Sequence, residues 1–401
     1  MNEENRKIFD SLSGKLPEEI FKELKTPCYI IDEKQLRKNG EVLASVIKNT
    51  GCKILLAQKA FSNFDLYPIL AQYISGTEAS GLYESRLGAE KMPEKENHVF
   101  CTAYRDDEID EILKYACHIV FNSPRQLEKY GKKAKALGKS VGLRINPECS
   151  TQEGHEIYDP CASGSRLGTT RKMWDEYMTP ELVEMLDGLH FHTLCEQNSD
   201  ALEITLQVVE KKFGDVLPNM KWLNMGGGHH ITREDYDIER LERSIIYCRD
   251  KWNLQVYLEP GEAIALNAGY LASRVLDTYT NGDTSIAILD VSAACHMPDV
   301  IEMPYTPPIY GAKEAGVKAY TYRLGGPTCL AGDVIGDYSF DRMLLEGDML
   351  LFGDMAIYTT CKNNTFNGMA LPDIWKKCED DSIIRLTSFS YEDFKMRLGS
   401  K

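Results

Sequence analysis

Residues 54–63 read ILLAQKAFSN, an apolar run that stops on Lys59 and gives way to polar residues. An ammonium group is rarely buried without a partner, and a lysine drawn out of water can release its proton and become a nucleophile. For a lysine on its own, a side chain reaching into solvent from a strand end is the plainer account. Its companions decide. Glu259 follows VYL in an apolar stretch, where an unpaired carboxylate is costly, so a partner is expected: a barrel arginine, or a ring nitrogen whose proton the carboxylate holds. His190 and His192, in LHFHT, lie two apart and share one strand face. A hydrogen-bonded core histidine is the ordinary role for either, although an imidazole at a strand end can also lie flat on a planar cofactor. Gly226, Gly227 and Gly228 let the backbone approach an anion with its N–H groups, or simply make a tight turn.

A lysine for an aldehyde, glycines for a phosphate, a carboxylate for a pyridinium nitrogen and a flat aromatic face together describe pyridoxal 5′-phosphate. The sequence has no GxxxxGK[ST], which argues against a nucleotide P-loop. Metal hydrolysis is the rival chemistry, with His190, His192, His229 and His230 as its potential ligands.

These residues need a frame that gathers them. After CYIID (28–32), which leads in, eight β-type runs alternate with helical patterns: 53–58, 74–80, 98–104, 118–123, 141–146, 188–193, 221–226 and 255–260. The intervening stretches 106–116, 124–138 and 233–252 carry apolar residues at helical spacing. Eight β/α units over about 235 residues predict an α/β fold, a (β/α)8 TIM-like barrel spanning 27–265. A doubly wound open sheet remains the alternative, because strand order is not written in sequence. In a barrel the carboxyl ends of the strands open onto one face, and there the count places Lys59, Glu78, Arg144, His192, Gly226 to Gly228, and Glu259 with Gly261. From 266 to 401 the texture changes to clustered β-formers with Gly and Asp at the bends, which predicts a mainly β, barrel-like domain. PEEIFKELK (17–25) predicts a short helix, and residues 1–26 could join either part.

Composition narrows the partners. A net charge of −15 without a Lys/Arg-rich tract argues against nucleic acid and permits a cationic substrate. Twelve cysteines without a CxxC pair, and a start lacking a signal-peptide core, fit the cytoplasm. No run is long and apolar enough for a membrane span.

Between about residues 26 and 375 the chain resembles the alanine-racemase-like (fold type III) pyridoxal-phosphate decarboxylases. INPECS, DPCASGSRLG, HFHTLCEQNSD, LNMGGGHHIT, LEPGEA, GGPTCLAGDVIGDY and TTCKNNTFNGMALPDI look like the carboxynorspermidine/carboxyspermidine decarboxylase branch. The resemblance implies a head-to-tail homodimer whose two sites each take Cys329 from the partner subunit. It further implies that Lys59 is the Schiff-base lysine and that His192 stacks on the ring. Gly226 to Gly228, Gly261 and Tyr358 would hold the phosphate, Glu259 would face the pyridine nitrogen, and Cys329 would return a proton to the substrate carbon. Arg144 and Glu78 join the cofactor set; Asp333, Asp299, Glu302 and Glu196 would recognise the amines of a carboxylated polyamine. Three departures stand out: Glu262 where many relatives have Arg after EPG, Leu330 where the ornithine enzymes have an acidic residue, and Thr193 to Glu196 in place of a family serine. A diaminopimelate or other basic amino-acid decarboxylase is the second enzyme reading. A non-catalytic, cofactor-binding or regulatory homologue is the reading from another class.

Overall fold

The computed structural model of the chain describes residues 24–152 and 159–399. The chain divides into two compact units: residues 37–264, and those up to 36 together with those from 265 onward. The segment 17–23 of the expected N-terminal helix lies outside the described residues.

The CYIID strand, β1 (Cys28–Asp32), belongs to the second unit, which corrects the expected barrel boundary at residue 27. Its backbone decides this, since β1 pairs antiparallel with a strand beginning at Gly269 and parallel with one beginning at Asp373. All five of its residues are buried.

The first unit is a closed barrel of eight parallel strands: β2 (Lys53–Ala57), β3 (Gly76–Ala79), β4 (Glu96–Phe100), β5 (His118–Phe121), β6 (Ser140–Arg144), β7 (Gly188–His190), β8 (Trp222–Asn224) and β9 (Gln255–Leu258). These are the eight runs read from the sequence. Lys53 and Ile54 of β2 pair with Tyr257 and Leu258 of β9, so the sheet closes and the open doubly wound alternative falls away. The helices between strands start where their caps dictate. Ser123 accepts from the Gln126 amide ahead of Pro124–Ala136, and Asp237 accepts from Arg240 ahead of Ile238–Trp252. Asn253 ends the latter helix at φ +55°, a left-handed conformation that asparagine tolerates.

The barrel interior is filled by matching large to small. The Trp222 ring lies over two glycines: a Cβ on Gly188 would sit 2.0 Å from Trp222 Cδ2, and one on Gly142 would sit 2.3 Å from Cη2. Trp222 Nε1 donates to Ser140 Oγ at 2.9 Å, and the ring packs with Leu55, Val120 and Tyr257.

Nearby, His98 stacks on His118 at 3.9 Å with 19° between the rings, and His98 also bonds Glu96, which is ion-paired with Lys53. Burial opposes charge on His98, but hydrogen bonds to Cys117 and Glu96 prevail and raise its pKa to about 9. Burial, then the adjacent His98, lowers His118 to about 3, so the stacked pair carries one proton near neutrality. Glu96, His98, Cys117 and His118 have candidate ligand atoms within 4.8 Å of one another, the sole such group among the described residues. Stacked rings point their lone pairs side by side rather than at a common ion, and Lys53 already holds Glu96.

The second unit contains a nine-stranded sheet. Its strands are β1, β10 (Gly269–Asn281), β11 (Thr284–Leu289), β12 (Lys313–Glu314), β13 (Tyr320–Gly325), β14 (Val334–Phe340), β15 (Met349–Gly353), β16 (Asp373–Lys377) and β17 (Ile383–Thr387). The order is β12-β14-β13-β11-β10-β1-β16-β17, with β15 also on β10. Leu24, Cys28, Ile30, Tyr270, Ala272 and Leu351 form one of its apolar cores.

The Trp222 packing yields a prediction. Gly188→Ala should destabilise the protein by about 1–3 kcal/mol through overpacking, with Trp222→Phe relieving part of that loss in the double variant. Chemical denaturation of the four proteins checks it; strictly additive effects would contradict it.

Candidate active site

Lys59 stands two residues beyond β2, and Gln58 sets its position. The wholly buried Gln58 amide donates to the carbonyls of Glu78 (3.3 Å) and Glu84 (2.9 Å) and accepts from the Tyr67 hydroxyl (3.1 Å). All its side-chain atoms are thus engaged in fastening the end of β2 to that of β3. Lys59 lines a cavity of about 290 Å³ with Glu78, Arg144, His190, His192 and Glu259. Five of the expected strand-end positions, Lys59, Glu78, Arg144, His192 and Glu259, therefore meet with His190 in one hollow, near the lower limit of small-molecule pockets. A larger groove of about 590 Å³ in the sheet unit, lined by Lys25, Arg274, Asp290 and Glu346 among others, lacks this convergence.

Glu259 is buried, and among the described residues no arginine pairs with it. His190 Nε2 donates to its Oε2 at 3.0 Å, and Asn224 Nδ2 donates to its Oε1. Burial favours the neutral acid, but His190, the charge of His98 and the Asn224 hydrogen bond together outweigh it and hold the carboxyl below its ordinary range. Asn224 faces two ways, because its Oδ1 accepts from the Gly226 amide at 2.9 Å. Sequence reasoning passed over Asn224; the signal available was an amide inside an apolar strand two residues before the glycines.

The glycines are required by packing itself. Gly226 and Gly228 have φ of +68° and +79°. A Cβ on Gly226 would meet the Phe191 carbonyl oxygen at 2.4 Å, one on Gly227 that of Glu259 at 2.4 Å, and one on Gly228 that of Leu194 at 2.0 Å. Gly227 N–H donates to His192 Nδ1 at 3.0 Å, which places the imidazole's proton on Nε2. Burial, then Lys59 and Arg144, depress the His192 pKa well below normal, so the ring is neutral. With the Gly226 and Gly227 amides engaged, the Gly228 N–H has no acceptor among the described residues and is the one available to an anion. Gly261 runs close to the lysine segment, since a Cβ there would lie 2.6 Å from that of Ala60.

Two more groups complete the hollow. Glu78, 4 % exposed, is pushed up to about 8 by burial and by the Glu259 charge, with Lys59 opposing. The neutral, protonated form of this carboxyl is thereby favoured. Arg144 lies over the Phe100 ring at 4.6 Å and donates to the His192 carbonyl at 3.1 Å; burial lowers its pKa to about 10.

The four histidines of the metal alternative go separate ways. His190 bonds Glu259, His192 accepts from Gly227, His229 Nε2 faces the Met225 carbonyl at 3.2 Å, and His230 Nδ1 faces the Arg233 guanidinium at 3.5 Å.

The sheet-unit residues fall into three groups. Cys329 is exposed on a turn, and its thiol donates to Asn367 Oδ1 at 2.7 Å. Asp333 is buried with its oxygens occupied: Oδ1 accepts from Ser292 Oγ (3.0 Å) and the Ala293 amide (2.7 Å), and Oδ2 from Thr328 Oγ1 (2.6 Å). That corrects its expected role as an amine binder, because these donors take the lone pairs an amine would need. Asp299 and Glu302 both pair with Lys362, so their counter-charge is already present within the unit. Tyr358 is not in a β-run; it lies beyond β15 at φ +50°. In the barrel unit, Glu196 is exposed at φ +52°, and its carbonyl faces Arg233 at 3.5 Å.

A family model described as the pyridoxal-dependent decarboxylase, C-terminal sheet domain, matches residues 28–356. A carboxynorspermidine/carboxyspermidine decarboxylase of Campylobacter jejuni is 42% identical over 94% of this chain and 100% of its own length. A carboxyaminopropylagmatine decarboxylase of Synechocystis is 40% identical, covering 94% of this chain and 96% of the relative. The crystal structure of the Campylobacter jejuni carboxynorspermidine decarboxylase with norspermidine superposes with a TM-score of 0.85 at 41% identity, covering 93% of this chain and 100% of that one.

The chain belongs to the carboxynorspermidine/carboxyspermidine branch of the pyridoxal-dependent decarboxylases. It is a carboxy-lyase and its cofactor is pyridoxal 5′-phosphate. The hollow of this decarboxylase fits that group: an amine, an anionic carboxylate and a neutral imidazole border one small cavity, and the glycine turn whose Gly227 amide holds that imidazole carries, at Gly228, an N–H without an acceptor among the described residues.

Glu78 supplies a prediction for the cofactor-free protein. Its folded pKa of about 8 exceeds the ordinary 4.5, so its cost to stability is absent below pH 4.5 and grows as pH rises towards 8. Glu78→Gln, which mimics the protonated acid, should match the native protein near pH 4.5 and exceed it at pH 8 by on the order of a few kcal/mol. Melting curves across that range check this, and a pH-independent difference would refute it.

Proposed function

We propose that this decarboxylase removes CO2 from carboxynorspermidine, carboxyspermidine or both, yielding the triamines norspermidine and spermidine. The observation that carries the reading is the hollow holding Lys59, His192 and Glu259 in a chain 42% identical, end to end, to a relative named for those substrates. When bound, the cofactor draws electrons away from the carbon that loses CO2. Lys59 Nζ would hold its aldehyde carbon, and the Gly228 amide, joined by Gly261 and Tyr358, its phosphate. Glu259 would keep a proton on the ring nitrogen, and the neutral His192 would cover one ring face. Protonated Glu78 and the Arg144 guanidinium would add a donor and a fixed positive charge beside it. Cys329 Sγ–H returns a proton to the substrate carbon, and the Asn367 carbonyl orients that proton. Asp299, Glu302 and Glu196 remain the acidic groups for the substrate's amines, the first two by exchanging Lys362 for a substrate ammonium.

The working form in this proposal is a homodimer in which each site takes Cys329 from the partner subunit. Exposed apolar residues in and near the cysteine loop support this, namely Leu330, Val334 and Phe366. All twelve cysteines are free, which favours a reducing, cytoplasmic setting. No described helix is long and apolar enough to cross a membrane. Carboxyaminopropylagmatine is a second substrate reading, favoured by the 40% identical relative.

CO2 release from carboxynorspermidine, carboxyspermidine, carboxyaminopropylagmatine, diaminopimelate and ornithine tests the substrate class; preference for diaminopimelate or ornithine would overturn it. Lys59→Ala and Cys329→Ala should each be nearly inactive. Mixed one to one with subunit exchange, they should recover about a quarter of native sites, as two-fold sharing requires. No recovery in mixtures shown to exchange would argue against shared sites.

A further inference from the structure

The Glu259 carboxylate is useful to a ring nitrogen only while it is charged, and its surroundings control that charge. Among the described residues it makes no ion pair with Lys or Arg; its partners are His190 and Asn224. A carboxylate has about four lone-pair positions, so two donors leave room for a third.

The protonation of His190 is the deciding variable. Its Nε2–H is committed to Glu259, and its Nδ1 is buried without any partner. A charged His190 would bury an orphan N–H donor, whereas the neutral ring leaves only an unused lone pair. The ring is stacked on Phe100 at 5.5 Å and 15°, which excludes water from that side. Burial therefore lowers its pKa, and the nearby cations Arg144 and Lys59 push the same way, against the pull of Glu259. A neutral His190 leaves the pair with a full negative charge. A charged one would cancel it.

We propose that His190 and Asn224 are positioning residues that keep Glu259 ionised and aimed, His190 donating through Nε2 while its buried, unpartnered Nδ1 disfavours a second proton. Asn224 does a second task, because its Oδ1 holds the Gly226 amide and so fixes the carboxylate and the glycine turn to one side chain. The inference rests on the reading that Glu259 is the partner of the cofactor's ring nitrogen.

The test uses holoenzyme loaded with cofactor labelled by nitrogen-15 in the ring, whose chemical shift reports whether that nitrogen is protonated. The native protein should show a protonated nitrogen. His190→Leu should lose that signature, weaken cofactor affinity at least tenfold and lower kcat more than KM. His190→Gln, whose amide reaches the Nε2 position, should restore all three. Where the leucine variant is unstable, His190→Asn, too short to reach Oε2, serves in its place. Protonated ring nitrogen and native affinity in both the leucine and asparagine variants would overturn the inference. Glu259→Gln separates the two levels: if the ring nitrogen stays protonated there, the underlying reading of Glu259 fails. If it is lost there but kept without His190, only the positioning claim fails.

Discussion

A carboxylate inside a β-barrel is stable only if its surroundings replace the water it has lost, and the active hollow is organised around meeting that condition for Glu259. Two hydrogen-bond donors do it, helped by the positive charge of His98. His190 and Asn224 solvate the charge without cancelling it, as a salt bridge to arginine would. The difference matters chemically, since a neutralised pair exerts little field on a ring nitrogen while a solvated anion exerts its whole charge at short range. Asn224 also ties the glycine turn to the same point. The distance between the charge and the Gly228 amide, which has no acceptor among the described residues, is thereby set by a short run of backbone.

The same hollow treats a second carboxyl in the opposite way. Glu78 has no described partner that favours its anion as His190 favours that of Glu259, and it feels the latter's charge, so burial leaves it protonated at neutral pH. Two carboxyls of one chemistry are thus driven apart, one to an acceptor and the other to a donor. Lys59 and Arg144 join the balance by discouraging charge on both His190 and His192. The cations and the anion therefore define two neutral imidazoles between them. Removing any one charge would shift the protonation of several neighbours at once.

The barrel was legible in sequence because each of its eight strands is a short run of β-formers followed by a helical pattern, and both periods survive in the fold. Lys59, Glu259 and the glycines were legible for a related reason: each breaks the local pattern of its strand. What escaped was whatever depends on a distant partner. β1 reads as a lead-in to the barrel, inside the boundary expected at residue 27, and only pairing with β10, some 240 residues on, assigns it to the sheet unit. Asp333, Asp299 and Glu302 read as free acids because sequence shows a charge without its counterpart; Ser292, Thr328 and Lys362 are brought to them by folding. Tyr358 reads as a strand residue because AIYTT is rich in β-formers, yet its φ of +50° is incompatible with a strand.

The occupied state of Asp333 changes what its conservative-looking position beside Cys329 means. Its two oxygens bind donors from two separate segments, the Ser292–Ala293 turn on one side and Thr328 on the other. Thr328 is the residue before Cys329, so the carboxylate anchors the base of the cysteine turn. The tip is held independently, with Asn367 Oδ1 accepting from both the Cys329 thiol and, at 3.3 Å, its amide. Asn367 reaches that position at φ +60°, and asparagine is among the few residues that adopt this conformation readily. An exposed side chain ordinarily samples several rotamers, and each would direct its proton elsewhere. Fastened at base and tip, the Cys329 turn holds its thiol in one direction while leaving it exposed.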